Sequence, residues 1–328
     1  MIENWSIVGH TWAVDLLRRH VGDGATRHAY LFTGSRGVGR RTLALRFAQA
    51  LNCTDPAAPG IPCGKCDDCR RIQARQHADV TIVAAEAEGG TLKVEQVREQ
   101  RRLITLKPFQ AKYRVAIFNR FQEANDAAAN ALLKTLEEAP AHAVLILTAE
   151  SPEGLLPTIV SRCEVLRLHT VPLDAVQQLL EQRGAHPDHA RLLSHVSGGC
   201  PGAAIRLMED EEAQVYRDEK LNELLTLVPA TRAQKFAYAE KLGKDKAAMR
   251  GVLVLWLSFW RDVMWRAGGA STEIANIDRQ QEIAALARQL SLPNAKRLVA
   301  DLDRALRRLE SNINPRLLAE VLLLDWPH

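Results

Sequence analysis

A glycine-rich stretch, "GSRGVGRRT" at residues 34–42, has the spacing of a phosphate-binding loop. The pattern G-x-x-x-x-G-K-[ST] places backbone N–H groups and a lysine around phosphates, and its hydroxyl on Mg²⁺. Gly34 and Gly39 fit the pattern, with Gly37 between them, but Arg40 and Arg41 replace the lysine and the hydroxyl residue. A bulky guanidinium is a poor substitute for a compact ammonium, and arginine has no acceptor for a metal. The loop is therefore predicted to be degenerate, with weak or no nucleotide binding.

The acidic residues of a working ATP site are also missing. They are expected after the third predicted strand, where the chain reads Asn119-Arg120. A neutral amide is a weak metal ligand, and a cation cannot act as a general base. We therefore expect no ATP hydrolysis by the isolated chain. A less favoured alternative is an active ATPase in which Arg40 and Thr42 replace the usual pair.

Four cysteines form the pattern C-x9-C-x2-C-x2-C, at Cys53, Cys63, Cys66 and Cys69. Four thiolates close in sequence suit a tetrahedral Zn²⁺ site. The proline and glycine residues between them favour a tight knuckle over a helix or strand. Because four sulfur ligands leave no position for water, the predicted site is structural. Unligated or redox-active thiols are the alternative.

Short apolar segments alternate with helical patterns in the first half of the chain. The predicted strands cover residues 28–34, 78–85, 113–119, 143–148 and 163–168. Helices are predicted at 41–51, 94–104 and 125–138, with Asn125 as the N-cap of the last. This alternation predicts an α/β fold with a mostly parallel sheet covered by helices on both faces.

The remainder of the chain is predicted to be helical, which divides the molecule into three domains. They are an α/β domain at 1–170 with the cysteine module at 53–69, a small helical domain at 171–211, and an all-α domain at 212–328. The most apolar run, 252–260, is too short to span a bilayer. Its Trp256 and Trp260 are predicted to face a helical core.

Composition indicates an ordinary globular protein of 328 residues, with 47% apolar and 25% charged residues. The net charge of +4 permits contact with nucleic acid without requiring it. The first ten residues lack the pattern of a signal peptide, so we expect a cytoplasmic protein, in which structural disulfides are rare.

Four longer stretches resemble the bacterial DNA polymerase III clamp loader subunits. They are "HAYLFTGSRGVGRRT", "NALLKTLEEAP", "LLPTIVSRC" and, near the end, "SNINPRLLAEVLLL". Members of this family are AAA+ proteins with a P-loop domain, a small helical lid and a helical collar through which subunits assemble. The resemblance therefore implies an AAA+ domain at 1–170, a lid at 171–211 and an oligomerising collar at 212–328. The family also carries a zinc module at the position of the four cysteines.

Within the family, the gamma/tau motor subunits keep an intact phosphate loop and acidic metal ligands. This chain departs from both, is short, and resembles the delta prime branch, which does not hydrolyse ATP. Motor subunits also carry a nucleotide-sensing arginine early in the last lid helix. In this chain Pro201 lies near that position in "SGGCPGAAIRL", and whether Arg206 acts on a nucleotide stays open. An active gamma/tau-like motor with an unusual loop is the alternative.

The triplet Ser161-Arg162-Cys163 matches the family's arginine-finger motif. The resemblance implies that Arg162 reaches the ATP of a neighbouring subunit, so that a chain without its own ATPase completes another's site. It further implies gamma/tau motor subunits and a delta subunit as partners. The chain would contact the sliding clamp and primed DNA through this complex, which belongs to the polymerase holoenzyme. The expected location is the nucleoid-associated replisome, and no membrane partner is expected. A free-standing zinc-dependent nucleic-acid binder is a third hypothesis, but it leaves the collar and "LLPTIVSRC" unexplained.

Overall fold

The computed structural model describes residues 5–326, except residue 88 and residues 310–312. The ends of the predicted first and third domains, 1–4 and 327–328, therefore lie outside the described residues. Contacts divide the chain into two compact units, one of Met1–Leu179 with Gly199–Ala203, the other of Leu180–Gly198 with Ala204–His328. The predicted domain boundaries near 170 and 212 stay predictions.

The first unit contains one sheet of five parallel strands. They are β1 (Ala29–Thr33), β2 (Val80–Val83), β3 (Arg114–Phe118), β4 (Ala143–Ala149) and β5 (Glu164–Arg167). Their order across the sheet is β2-β3-β4-β1-β5. On β1, Leu31 pairs with Leu147 of β4 on one side and with Val165 of β5 on the other. Four of the five strands lie within predicted segments, and β4 extends one residue beyond the segment predicted at 143–148.

Side chains of β1 alternate between two apolar cores, one on each face of the sheet. Tyr30 and Phe32 pack in the same core as Phe47, whereas Leu31 packs with Leu132 on the opposite face. All five residues of β1 are buried. Parallel strands covered on both faces read as continuous apolar runs because neither face meets water. The predicted α/β sheet with helices on both faces is confirmed.

The helices of the first unit supply those two covering layers. They are α1 (Thr11–Gly22), α2 (Arg40–Asn52), α3 (Asp67–Ala74), α4 (Val94–Thr105), α5 (Asp126–Glu137) and α6 (Pro157–Val160), with short 3₁₀ turns at Phe121–Glu123 and Pro152–Gly154. The side chain of Asn125 accepts a hydrogen bond of 2.8 Å from the backbone N–H of Ala128. Asn125 is therefore the N-cap of α5, as predicted.

The rest of the described chain is helical, as its periodicity predicts. The helices are α7 (Leu173–Gln182), α8 (Pro187–Val196), α9 (Pro201–Glu209), α10 (Glu211–Leu227), α11 (Arg232–Leu242), α12 (Lys246–Ala267), α13 (Gln280–Gln289), α14 (Leu292–Leu309) and α15 (Pro315–Leu324), with a 3₁₀ turn at Ile277–Arg279. Among the described residues, no helix has the length and apolar character needed to cross a bilayer.

Three tryptophans form the centre of the second unit's core. Trp256 and Trp260 lie on α12 and are fully buried, which confirms the prediction for this pair. The ring of Trp326 contacts both edge-on, with centroid distances of 5.0 and 5.7 Å. Edge-to-face contacts of this kind add to the energy of apolar burial, so this cluster fixes the end of the chain against α12.

A buried carboxylate organises the loop that leads into β3. The two oxygens of Asp79 accept backbone hydrogen bonds from Phe109, Gln110 and Ala111 at 2.8, 2.9 and 3.0 Å, and one from the Arg114 guanidinium at 3.0 Å. Burial works against the charged form of Asp79, but these donors outweigh burial and hold its pKa below the usual value. The carboxylate therefore stabilises the folded state at neutral pH.

We expect the substitution Asp79→Asn to destabilise the protein by about 3 kcal/mol at pH 7, because it leaves the partly buried Arg114 and several N–H donors poorly matched. The folded-state pKa of Asp79 is lowered, so its contribution is present above the unfolded pKa of about 3.9 and is lost as the pH falls through the folded value. Urea unfolding between pH 7 and pH 3 should show a difference between variant and parent that narrows in acid. Asp126→Asn, at an exposed position, is the control, and a pH-independent difference would contradict the expectation.

Candidate functional site

The glycine loop joins β1 to α2, as the strand–loop–helix order predicts. Gly34, Gly37 and Gly39 have φ values of +142°, +83° and +119°, in the region that favours glycine. A Cβ atom at Gly34 would lie 2.3 Å from the carbonyl oxygen of Leu168. The loop thus has a glycine-dependent backbone conformation, and α2 begins at Arg40 directly after it.

Residues 199–203 pack directly on this loop. The backbone N–H of Gly202 donates a hydrogen bond of 2.7 Å to the carbonyl oxygen of Gly37. A Cβ atom at Gly37 would lie 2.7 Å from the backbone nitrogen of Ala203. The hydroxyl of Ser35 lies 3.3 Å from the thiol of Cys200. One side of the glycine loop is therefore covered by backbone of the chain itself.

The prediction of a degenerate site rests on Arg40 and Asn119, and both of these side chains are buried. Arg40 is 9% exposed, and burial is the main cause of its lowered pKa, opposed by the charge of Glu150. Within the described chain its Nη1 atom has no hydrogen-bond partner, and neither does Oδ1 of the buried Asn119 after β3. Buried polar groups without partners are costly. Arginine and asparagine thus occupy the places where a hydrolysing site needs lysine and a carboxylate.

Arg162 lies in the turn that follows α6, on the surface of the first unit. Its Nη2 atom is 2.7 Å from Oε1 of Glu137, and its Nη1 atom donates to the carbonyl oxygen of Thr158 at 2.9 Å. The Arg162 side chain is 35% exposed and that of Glu137 is 50% exposed. The guanidinium is consequently held by its own chain while staying accessible from outside.

The two neighbours of Arg162 fix the turn that displays it. The hydroxyl of Ser161 donates to the carbonyl oxygen of Thr158 at 3.2 Å. Cys163 is half-buried, and burial raises the pKa of its thiol to about 12, so the group is neutral at physiological pH. Ile159, on α6, is 1% exposed and anchors the turn in the apolar core. Of the three motif residues, Arg162 alone carries a charge to the surface.

The four cysteines predicted to bind a metal lie together. Their sulfur atoms are all within 4.8 Å of one another, and none is in a disulfide. The sulfur of Cys53 lies 3.5 Å from that of Cys63 and 3.9 Å from that of Cys66. Four sulfurs bonded to one zinc ion at about 2.3 Å would be about 3.8 Å apart in a tetrahedron. The geometry therefore fits a single metal ion with four thiolate ligands.

Backbone N–H groups point at these sulfur atoms. Cys63 donates to the sulfur of Cys53 at 3.3 Å, Cys66 to that of Cys63 at 3.3 Å, and Cys69 to that of Cys66 at 3.4 Å. Burial opposes ionisation of Cys66, but hydrogen bonds from Cys69 and Thr54 outweigh it and lower its pKa to about 6. Burial raises the pKa values of Cys53 and Cys69. Without a metal Cys66 would therefore ionise more readily than Cys53 and Cys69, and a bound cation would favour the thiolate form of each ligand.

Side chains distant in sequence attach this cysteine module to the sheet. Gln49 donates from its amide to the carbonyl oxygen of Cys69 at 2.7 Å. Asp68 lies 3.0 Å from Nε2 of His77, whose Nδ1 accepts from the backbone N–H of Asp79 at 3.0 Å. The sequence analysis missed Gln49, Asp68 and His77, because no motif or spacing marks residues that meet only through the fold.

Two further residues complete the picture of the predicted sites. Arg206 lies on α9 and is exposed. Glu137 had no assigned role in the sequence, although it stands within the quoted stretch "NALLKTLEEAP". The available signal was a pair of glutamates at the end of a predicted helix, where the helix dipole disfavours negative charge.

Two family models match most of the chain. The model described as "DNA polymerase III, delta subunit" matches residues 9–172, and the one described as "DNA polymerase III, delta subunit, C terminal" matches residues 212–328.

Individual relatives agree with these matches. The chain is 28% identical to DNA polymerase III subunit delta' of Bacillus subtilis over 90% of each protein. It is 31% identical to subunit delta' of Escherichia coli, over 93% of this chain and 90% of that protein. It is also 32% identical to subunit tau of Salmonella typhimurium, over 62% of this chain but only 32% of tau. The similarity to the two delta' proteins thus covers about nine-tenths of this chain and of each relative.

We expect the purified protein to contain about one tightly bound metal ion per chain, because the four thiolates close a complete ligand shell. The substitution Cys66→Ser should remove most of this metal, since serine is a poor ligand for a soft site. Cys200→Ser, outside the cluster, is the matched control and should keep it. Elemental analysis by mass spectrometry measures the content, and equal metal content in both variants would show that the cluster is not the binding site.

Proposed function

Because this chain belongs to the DNA polymerase III delta family and matches delta' proteins along nearly its whole length, we propose that it acts as the delta prime subunit of a bacterial clamp loader. In this role it assembles with gamma/tau motor subunits and a delta subunit, and helps to place the sliding clamp on primed DNA. It acts in the cytoplasm, at the replisome. The observation that carries the proposal is the similarity over nine-tenths of the chain to two delta' proteins.

We propose the AAA+ arrangement of three domains, with residues 212–328 as the collar that assembles with other subunits. The exposed apolar residues of this region support the collar assignment. Leu317 and Val321 lie one helical turn apart on α15 and are 57% and 52% exposed, and Val254 on α12 is 45% exposed. Apolar side chains at this spacing form a stripe that a partner helix can cover.

The chain's own loop does not hydrolyse ATP in this proposal. Arg41 cannot ligate Mg²⁺, because a guanidinium has no acceptor. Asn119 brings no negative charge to the end of β3, so the metal and the attacking water lack a carboxylate. The hydrogen bond from Gly202 to Gly37 supports a structural use of the loop. Close packing requires glycine at positions 34 and 37 whether or not the loop binds a phosphate.

Arg162 acts on the ATP of a neighbouring subunit in this proposal. Its guanidinium offers five N–H donors, and within the described part of the chain only Glu137 and the Thr158 carbonyl accept from it, at 2.7 and 2.9 Å. A forked cation placed beside a γ-phosphoryl group stabilises the charge that develops during transfer. The subunit would thus contribute to hydrolysis although it carries no working site of its own.

We assign zinc as the metal of the cysteine module, in a structural role. Four thiolates with tetrahedral spacing are typical of structural zinc sites in proteins. A bound zinc ion would cross-link the segment that carries the four cysteines. Its four sulfur ligands would leave no coordination position for water or a substrate. Gln49 and the Asp68–His77 pair hold the ligand-bearing segment against the sheet, which is the usual role of groups around metal ligands.

The isolated chain should show no ATP turnover at millimolar nucleotide with Mg²⁺, because the lysine, the hydroxyl and the carboxylates are all absent. Phosphate release measured beside a purified motor subunit tests this. A preparation carrying Arg40→Ala serves as the control for contamination. Steady turnover that disappears in Arg40→Ala would instead identify the chain as a motor with an unusual loop.

In the reconstituted complex, Arg162→Ala should slow hydrolysis at the neighbouring ATP site by about a thousandfold, as for other arginine fingers. The DNA-stimulated ATPase rate of the whole complex would then fall by the share that this one site contributes. Arg167→Ala removes another exposed arginine of the same unit, whose side chain is 61% exposed, and should leave the rate unchanged. A normal rate in the Arg162→Ala complex, with assembly intact by gel filtration, would exclude this role for Arg162.

A further inference from the structure

Glu137 stands where a carboxylate is electrostatically unfavourable. It is the last residue of α5, at the negative end of the helix dipole, and Glu138 follows it. Unlike Glu138, Glu137 directs an oxygen to within 2.7 Å of Arg162 Nη2. The cation thus compensates a charge that the helix itself disfavours.

The two elements that carry this pair are fixed in one apolar core. Leu136 on α5 and Ile159 on α6 are 2% and 1% exposed and belong to the same cluster of buried side chains. The hydrogen bond from the backbone N–H of Ala128 to Asn125 fixes the other end of α5. The position of Glu137 is therefore set by a packed helix, and the turn that carries Arg162 directly follows a helix anchored in the same core.

Stability does not explain the pair. Both side chains are partly exposed, at 50% and 35%, and ion pairs in contact with water add little to folding. The ion pair instead restricts the number of conformations that the Arg162 side chain can adopt. Arg162 would otherwise sample many rotamers, and ordering them on encounter with a phosphate would oppose binding of the transition state.

We propose that Glu137 is a positioning residue for Arg162. Its carboxylate, together with the Thr158 carbonyl, holds the guanidinium in one orientation while other N–H groups stay available for phosphate oxygens. This inference rests on the proposed role of Arg162 in a neighbour's site. It adds a residue that acts through Arg162 and does not itself touch the nucleotide.

The test uses the complex reconstituted with its motor and delta subunits and measures DNA-stimulated ATP hydrolysis. Glu137→Ala should lower kcat at the one ATP site that Arg162 serves by about three- to tenfold, while KM for ATP changes by less than about twofold. The substitution removes the orientation of Arg162 but not the groups that bind ATP in the ground state. Glu137→Gln keeps an acceptor and should lie between parent and Glu137→Ala. Glu138→Ala removes the same charge from the same helix end and should behave like the parent.

A double variant separates action through Arg162 from damage to the fold. Adding Glu137→Ala to Arg162→Ala should cause no further loss, since a positioning residue has nothing left to position. An equal loss in both backgrounds would show a merely structural effect and overturn the inference. A faster rate in Glu137→Ala would also overturn it, by showing that Glu137 withholds the guanidinium.

A second readout examines the isolated chain without any assembly. Phenylglyoxal modifies accessible guanidinium groups, and peptide mass spectrometry reports the rate at Arg162. That rate should rise several-fold in Glu137→Ala and stay unchanged in Glu138→Ala, because a paired guanidinium is less available. Unchanged labelling and unchanged kcat in Glu137→Ala, with Arg162→Ala slow, would overturn this inference alone. A normal rate in Arg162→Ala would overturn the arginine-finger role together with it.

Discussion

The site geometry depends on burying a five-stranded parallel sheet on both faces. β1 lies between β4 and β5 and contributes side chains alternately to two apolar cores. Burial on both sides leaves polar chemistry to the ends of the strands, where loops meet water. The glycine loop after β1 and Asn119 after β3 both occupy such positions. The two parts of the predicted degenerate ATP site, the loop and Asn119, thus each follow the end of a strand.

Two glycines of the loop have a packing role that does not depend on phosphate binding. Close approach of Leu168 and Ala203 to Gly34 and Gly37 leaves no room for side chains there, so the glycines are needed whether or not a phosphate binds. Arg40 is under no such restriction. Its buried guanidinium has a nitrogen without a partner among the described residues, a cost that the rest of the fold must offset. Packing thus restricts the residue type at Gly34 and Gly37, but it does not require arginine at position 40.

Charge placement distinguishes the two remaining functional elements. The cysteine module is tied to the sheet through buried polar groups, and Asp79 belongs to both the module's support and the loop before β3. Arg162 is held instead by partly exposed groups. Breaking a buried network is costly because it leaves polar atoms with neither a protein partner nor water. An exposed ion pair can separate at little cost, because water solvates both groups. This difference suits a fixed structural module and the proposed role of Arg162 at a neighbouring subunit's site.

The five strands, the helices α2, α4 and α5, the cap at Asn125 and the grouping of the four cysteines were all predicted from the sequence, whereas α1, α3 and α6 were not. These features are local: each follows from periodicity or from spacing over a few residues. That the glycine loop is degenerate stays a prediction from residue types, because a guanidinium has no acceptor for a metal ion. Only the tertiary structure brought Glu137 to Arg162, Gln49 to Cys69 and backbone 199–203 onto the glycine loop. Those contacts join segments far apart in the chain, and their geometry is set by how helices pack on the sheet, which no local pattern records.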